Sequence, residues 1–217
     1  MDEIIRNIAV FALPVLFAIT AHAAAQGYVA KRFGDTSAFA AGRVTLNPLV
    51  HIDLVGTIII PIALYLMTGF AFGYSKPVPL DFSRLRDPKR HMRWVALAGP
   101  GANFVMALIW LVLAVLLTAF GVSEEFPHKV AEAGVVTNLL FFAINLFPLP
   151  PLDGGRVVIS LLPNKLAYQY ARVEPYGFFI LLALIYFKVL AMWIMPMMWL
   201  GEQGLKLFAT PLTLLVA

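Results

Sequence analysis

Three side chains stand where an apolar chain has little reason to place them. His22 and Gln26 lie four residues apart in an uncharged run from Asn7 to Ala30. Asp153 follows a proline-rich break, Asn145-Leu-Phe-Pro-Leu-Pro-Pro-Leu-Asp153-Gly154-Gly155. A spacing of four puts His22 and Gln26 on one helix face, one turn apart. Imidazole and carboxylate ligate divalent metals and carry protons. Ionisable groups at membrane depth cost free energy, and by default they mark functional sites. Simpler roles exist for each. His22 can be satisfied by a neighbouring helix, and Asp153 can cap a helix that starts at Gly154. Gln26, Asn47, Asn103 and Asn145 can crosslink or cap helices. His91 and His128 fall in loops and read as solvated.

The elements that must position these residues follow from composition. The 217 residues are 61% hydrophobic and only 13% charged, and mean hydropathy is +0.84. Soluble domains carry about 25% charged residues. Disorder is therefore excluded, and the composition argues strongly against a water-soluble enzyme. There is no cysteine, hence no disulfide framework and no thiolate metal site. Nothing in the placement of the basic residues suggests a nucleic-acid partner. The fold class expected is an all-α polytopic membrane protein, one domain over 1–217, with about five or six transmembrane helices. The partner this implies throughout is the lipid bilayer.

Apolar runs at Asn7–Ala30, Ile52–Tyr74, Trp94–Phe120, Ala133–Pro148 and Tyr176–Leu200 supply five spans. The first is longer than the apolar core of a signal peptide, about 7–15 residues. Residues 31–51 are expected to form a re-entrant, irregular or short-stranded piece, permitted at membrane depth only where protein buries it. Pro77, Pro79 and Pro88 make 75–93 a loop. The tail 201–217, with Pro211, reads as interfacial or half-spanning. Loop 75–93 carries six basic residues. The excess of Lys and Arg in cytoplasmic loops then places that loop inside. Five alternating spans place the N-terminus inside as well, in a bacterial-type inner (plasma) membrane.

Five blocks together resemble one family. They are Ile19 to Ala30 followed by Phe33-Gly34-Asp35; Gly42-Arg-Val-Thr-Leu-Asn47-Pro48-Leu-Val-His51-Ile-Asp53; Phe72 to Pro79; Ala98-Gly99-Pro100-Gly-Ala-Asn103; and Asn145 to Arg156. In order and spacing they are similar to the site-2 proteases, intramembrane zinc metalloproteases that cut transmembrane segments of other proteins. The family-like core spans 10–160, with C-terminal helices over 176–217.

The resemblance implies a zinc cofactor and a substrate or partner that is a membrane-protein helix. The family's first motif is H-E-x-x-H, two histidine ligands and a glutamate base. Its Leu-Asp-Gly block gives the third ligand. Mapped here, the metal residues are His22 and Asp153, with Gln26 at the second histidine position. His51 is a spare donor, either a replacement ligand or a groove residue. The base position is Ala23, so no catalytic base is intact. Asn47, Asn103 and Asn145 are the expected substrate-binding residues. Ala23 accepts no proton, and an amide oxygen is a poor zinc ligand. The chain is therefore expected to cleave weakly or not at all, with weakened zinc binding. Its alternative is a non-catalytic pseudoprotease that binds or regulates membrane proteins. A transporter with His22 and Asp153 on an ion path ranks last, because no repeated half is present.

Overall fold

A computed structural model describes residues 2–60, 62–63, 76 and 78–216, and every described regular element is helical. Helix α1 (Asp2–Phe33) is followed by a one-turn helix, Ser37–Ala40, and irregular chain to a 3-10 turn at Pro48–Val50. Segment 31–51 is thus irregular as expected, but it holds no strand among the described residues. A short π-helix, Leu54–Ile59, opens the second apolar run. The rest of that run, and most of the Phe72–Pro79 block, lie outside the described residues.

Helix α2 (Pro88–Ala119) begins six residues before the apolar run. Proline at the first helical position lacks only an N–H that would be unpaired anyway. Asp87 Oδ1 accepts from Arg90 N at 3.1 Å and caps the helix. The expected loop 75–93 is shortened accordingly. Helix α3 (Glu125–Asn145) runs parallel to α1 and stops before the prolines. Short helices α4 (Asp153–Leu161) and α5 (Asn164–Ala171) follow. The fifth run divides into α6 (Gly177–Tyr186) and α7 (Ala191–Val216). The helical stretches 164–186 and 191–210 meet at 87°, with Lys188 in the left-handed region at φ 59°. The tail is not a separate half-span, because α7 continues through it.

Two described helices, α1 over Ile5–Phe33 and α2, are long and apolar enough to cross a bilayer, and the bent pair makes a third if taken as one span. Five or six were expected, and most of the second expected span lies outside the described residues. Helix α3 is more polar, with Glu125, Lys129 and Glu132 in its first turns. The surface fits lipid contact. Val105, Ile109 and Leu207 are more than half exposed, whereas Thr20, Asn103 and Asn138 are almost fully buried.

Packing fixes which helix ends lie together. Arg86 N donates to Phe33 O at 2.9 Å, Asp81 N donates to Asp35 Oδ2 at 2.7 Å, and Phe33 stacks on His91 at 4.1 Å. The C-terminal end of α1 and the N-terminal end of α2 therefore share one end of the molecule. Arg6, at the other end of α1, lies close enough to Glu125 to act on its charge. Arg6 and residues 81–93 therefore lie at opposite ends of α1.

Candidate functional site

Helix α1 presents His22, Ala23 and Gln26 inward. Ala23 is 3% and Gln26 5% exposed. Asp153, 127 residues from Gln26 in sequence, meets both α1 polar groups. Gln26 Nε2 donates to Asp153 Oδ1 at 2.7 Å, and His22 Nε2 lies 3.0 Å from Asp153 Oδ2. Asp153 opens α4 without capping it, since no side-chain cap bond forms there. The simple capping role is therefore excluded. A carboxylate in the first turn of a helix is favoured by the axial dipole, and Arg156 Nη1 stands 3.9 Å from Oδ1.

Local sequence explains how Asp153 arrives. The prolines end α3, and the chain turns back under it. A Cβ at Gly154 would meet the Leu146 carbonyl, and one at Gly155 the Leu149–Pro150 backbone. Only glycine lets the start of α4 pack this tightly. Gly99 on α2 does the same for the imidazole, since a Cβ there would overlap the His22 ring.

Asn103 is the hub behind His22. It is fully buried. Its Oδ1 accepts from His22 Nδ1–H at 2.7 Å. Its Nδ2 donates to Ala18 O at 3.1 Å and Asn138 Oδ1 at 3.2 Å. These bonds fix the tautomer by the network around it. Asn103 thus positions His22. With Nδ1 protonated, His22 Nε2 is the ring atom that faces Asp153 Oδ2, 3.0 Å away.

The other candidates lie elsewhere. Asn47 is exposed and caps Leu49 N at 3.1 Å. Asn145 Nδ2 donates to Phe141 O at 3.0 Å within its own helix. His51 is buried, its Nε2–H donating to Thr45 O at 3.2 Å, and its Nδ1 is without a partner among the described residues. Among the described residues no three His, Asp or Glu side chains converge on a point. His51 lies apart from the His22–Asp153 pair in this set of contacts, held to the Thr45 carbonyl. Sequence reasoning missed Asn138 and the packing role of Gly99. The signal for Asn138 was a buried amide in the middle of an apolar run.

The donor set does not fit a catalytic zinc centre. Ligands about 2.0–2.2 Å from zinc are roughly 3.3 Å apart on a tetrahedron edge. The His22–Asp153 gap of 3.0 Å is near that, and Asp153 Oδ2 takes no directed hydrogen bond. Two ligands are present where catalytic sites use three. On the mapping that the resemblance implies, the third position falls to Gln26, which turns its amide nitrogen to the carboxylate, and the base position to Ala23. Two shallow grooves of about 390 and 370 Å³ flank α1 beside Ala21, Ala25 and Tyr28. Neither is lined by His22, Gln26 or Asp153.

Comparison with known proteins gives two relatives. YwhC of Bacillus subtilis (strain 168), named as a candidate zinc metalloprotease, is 34% identical over 203 residues, 91% of this chain and 90% of the relative. Rip2 of Mycolicibacterium smegmatis, named in the same way, is 27% identical over 185 residues, 82% of this chain and 67% of the relative. No family profile matches the chain, and no solved structure matches it.

Proposed function

From the premise that the chain belongs to the site-2-protease-like zinc metalloproteases, we propose that it binds segments of membrane proteins and cleaves them little or not at all. One observation carries this reading. The positions from which the family draws its metal ligands satisfy one another here, Gln26 on Oδ1 and His22 against Oδ2 of Asp153, beside an alanine at the base position. General-base assistance contributes about 10²–10⁴-fold, and an alanine supplies none.

The site is built from His22, Gln26 and Asp153, held by Asn103 and Asn138. Asn47 and Asn145 face an incoming segment, and the grooves along Ala21 and Ala25 receive it. The whole chain acts as one membrane-embedded domain, and segment 31–51 dips into the bilayer against α1. Lys31, Arg32, Arg86, Lys89 and Arg90 gather at one end, and that end is cytoplasmic by charge. The N-terminus is then on the outer face of a bacterial-type plasma membrane.

The test is cleavage of a tagged model transmembrane segment in liposomes, with photo-crosslinking from Ala25 as the binding readout. The expected result is crosslinking without cleavage. Chelator-sensitive cleavage by the unmodified chain would establish a working protease instead.

A further inference from the structure

The end of the molecule that gathers the C-terminus of α1 and the start of α2 carries cations that no carboxylate among the described residues neutralises. Lys89, Arg90 and Arg93 fall in the first turn and a half of α2. Cations at a helix N-terminus oppose the axial dipole and cost stability, so helix formation does not account for them. The nearby acids are engaged elsewhere. Asp81 pairs with Arg84 at 3.0 Å and accepts from Ser83 N, and Asp87 caps α2. No carboxylate among the described residues pairs with Arg86, Lys89, Arg90, Arg93 or Lys165. Lys89 Nζ donates to Asn164 Oδ1 at 2.9 Å, which sets Lys165 on α5 beside the row.

Depth identifies the partner. The uncharged run Trp94–Phe120 starts one residue after Arg93. At 1.5 Å per residue its 27 residues span roughly 40 Å, the full thickness of a bilayer with its headgroups. Trp94, 53% exposed, and Tyr168, 64% exposed, are amphipathic rings of the kind that settle at headgroup level. We infer that Arg86, Lys89, Arg90, Arg93 and Lys165 form a binding surface for anionic phospholipid headgroups. A charge signal for orientation explains how many cations lie on this side. It does not explain their row at headgroup level, against the dipole and without acidic partners.

The experiment titrates the full chain, in neutral detergent at low salt, with short-chain phosphatidylglycerol, phosphatidylcholine or inorganic phosphate, following thermal melting. Phosphatidylglycerol should stabilise the protein, phosphatidylcholine far less, and phosphate not at all. Each basic side chain near an anionic surface contributes about 1 kcal/mol. The triple variant Lys89→Gln, Arg90→Gln, Arg93→Gln should therefore bind phosphatidylglycerol on the order of a hundredfold more weakly. Its melting point without lipid should not fall, because the dipole penalty is relieved. Lys129→Gln, at the opposite end, should change nothing. If the triple variant does not fold, the single variants Arg90→Gln and Lys165→Gln should each lose about fivefold. Equal response to both lipids, or retained affinity in these variants, overturns the assignment. Stabilisation by phosphate alone would overturn it in favour of a free-anion site, and stronger binding of a soluble polyglutamate peptide in favour of an acidic protein.

Discussion

Replacing Gln26 by leucine removes one hydrogen bond and nearly preserves volume, so it isolates the contact on which the metal-independent cluster depends. The bond is short, 2.7 Å to Asp153 Oδ1, and its partners are 5% and 4% exposed. A hydrogen bond to a charged group is worth about 1.5–3 kcal/mol in net stability. Interhelical polar pairs measured in membranes average about 0.6 and reach about 1.7 kcal/mol. A coupling of about 1–2 kcal/mol between the two side chains follows. The design is a double-mutant cycle of Gln26→Leu and Asp153→Ala. Reversible unfolding in mixed micelles would be followed by circular dichroism. The double variant should cost less than the sum of the singles by that coupling. The cycle run with added zinc should return the same value, because the amide acts as a donor and not as a ligand. A coupling below about 0.5 kcal/mol, within ordinary additivity, would refute the cluster. A coupling that appears only with zinc would refute its independence of metal.

Gly99→Ala should push the His22 ring off Asn103 and Asp153, at an overpacking cost of about 1–3 kcal/mol; unchanged melting together with an unchanged histidine NMR signal would contradict that packing. Restoring Ala23→Glu with Gln26→His should create chelator-sensitive cleavage and raise zinc content by mass spectrometry. Either change alone should recover little, because groups acting on one step are not additive. For His51, burial holds the pKa below the usual value and the Arg43 charge adds to this, while the Thr45 carbonyl opposes it. The unfolded chain then takes up this proton first, near pH 6.5. The stabilisation is complete above that pH and is lost as pH falls through the folded pKa. His51→Asn should flatten the fall in melting midpoint between about pH 7 and 5, and an equal slope in the variant would count against the burial argument.

Much of the helical framework was legible because lipid imposes it residue by residue. An uncharged run long enough to cross has few alternatives, and α1 and α2 cover the runs that predicted them. Their ends were harder to read. Pro88 looked like a breaker but serves as a first-turn residue under the Asp87 cap. The 87° bend after α6 carries no proline or glycine to announce it.

The spacing of four between His22 and Gln26 is a local fact, and helix geometry alone put them on one face. That Asp153 is their partner came from the resemblance to a family, because no local periodicity reaches across 127 residues. Tertiary structure alone decided that Asn103 and Asn138 stand behind the histidine and that Gln26 turns its nitrogen to the carboxylate. It also set His51 against the Thr45 carbonyl and put Arg6 and the start of α2 at opposite ends of α1. These are choices among buried polar groups that could each have been satisfied in several ways. Hydropathy says only that such a group must find a partner. Which partner it finds depends on which helix faces meet, and a pair such as Gly99 against His22 permits that meeting at one close separation.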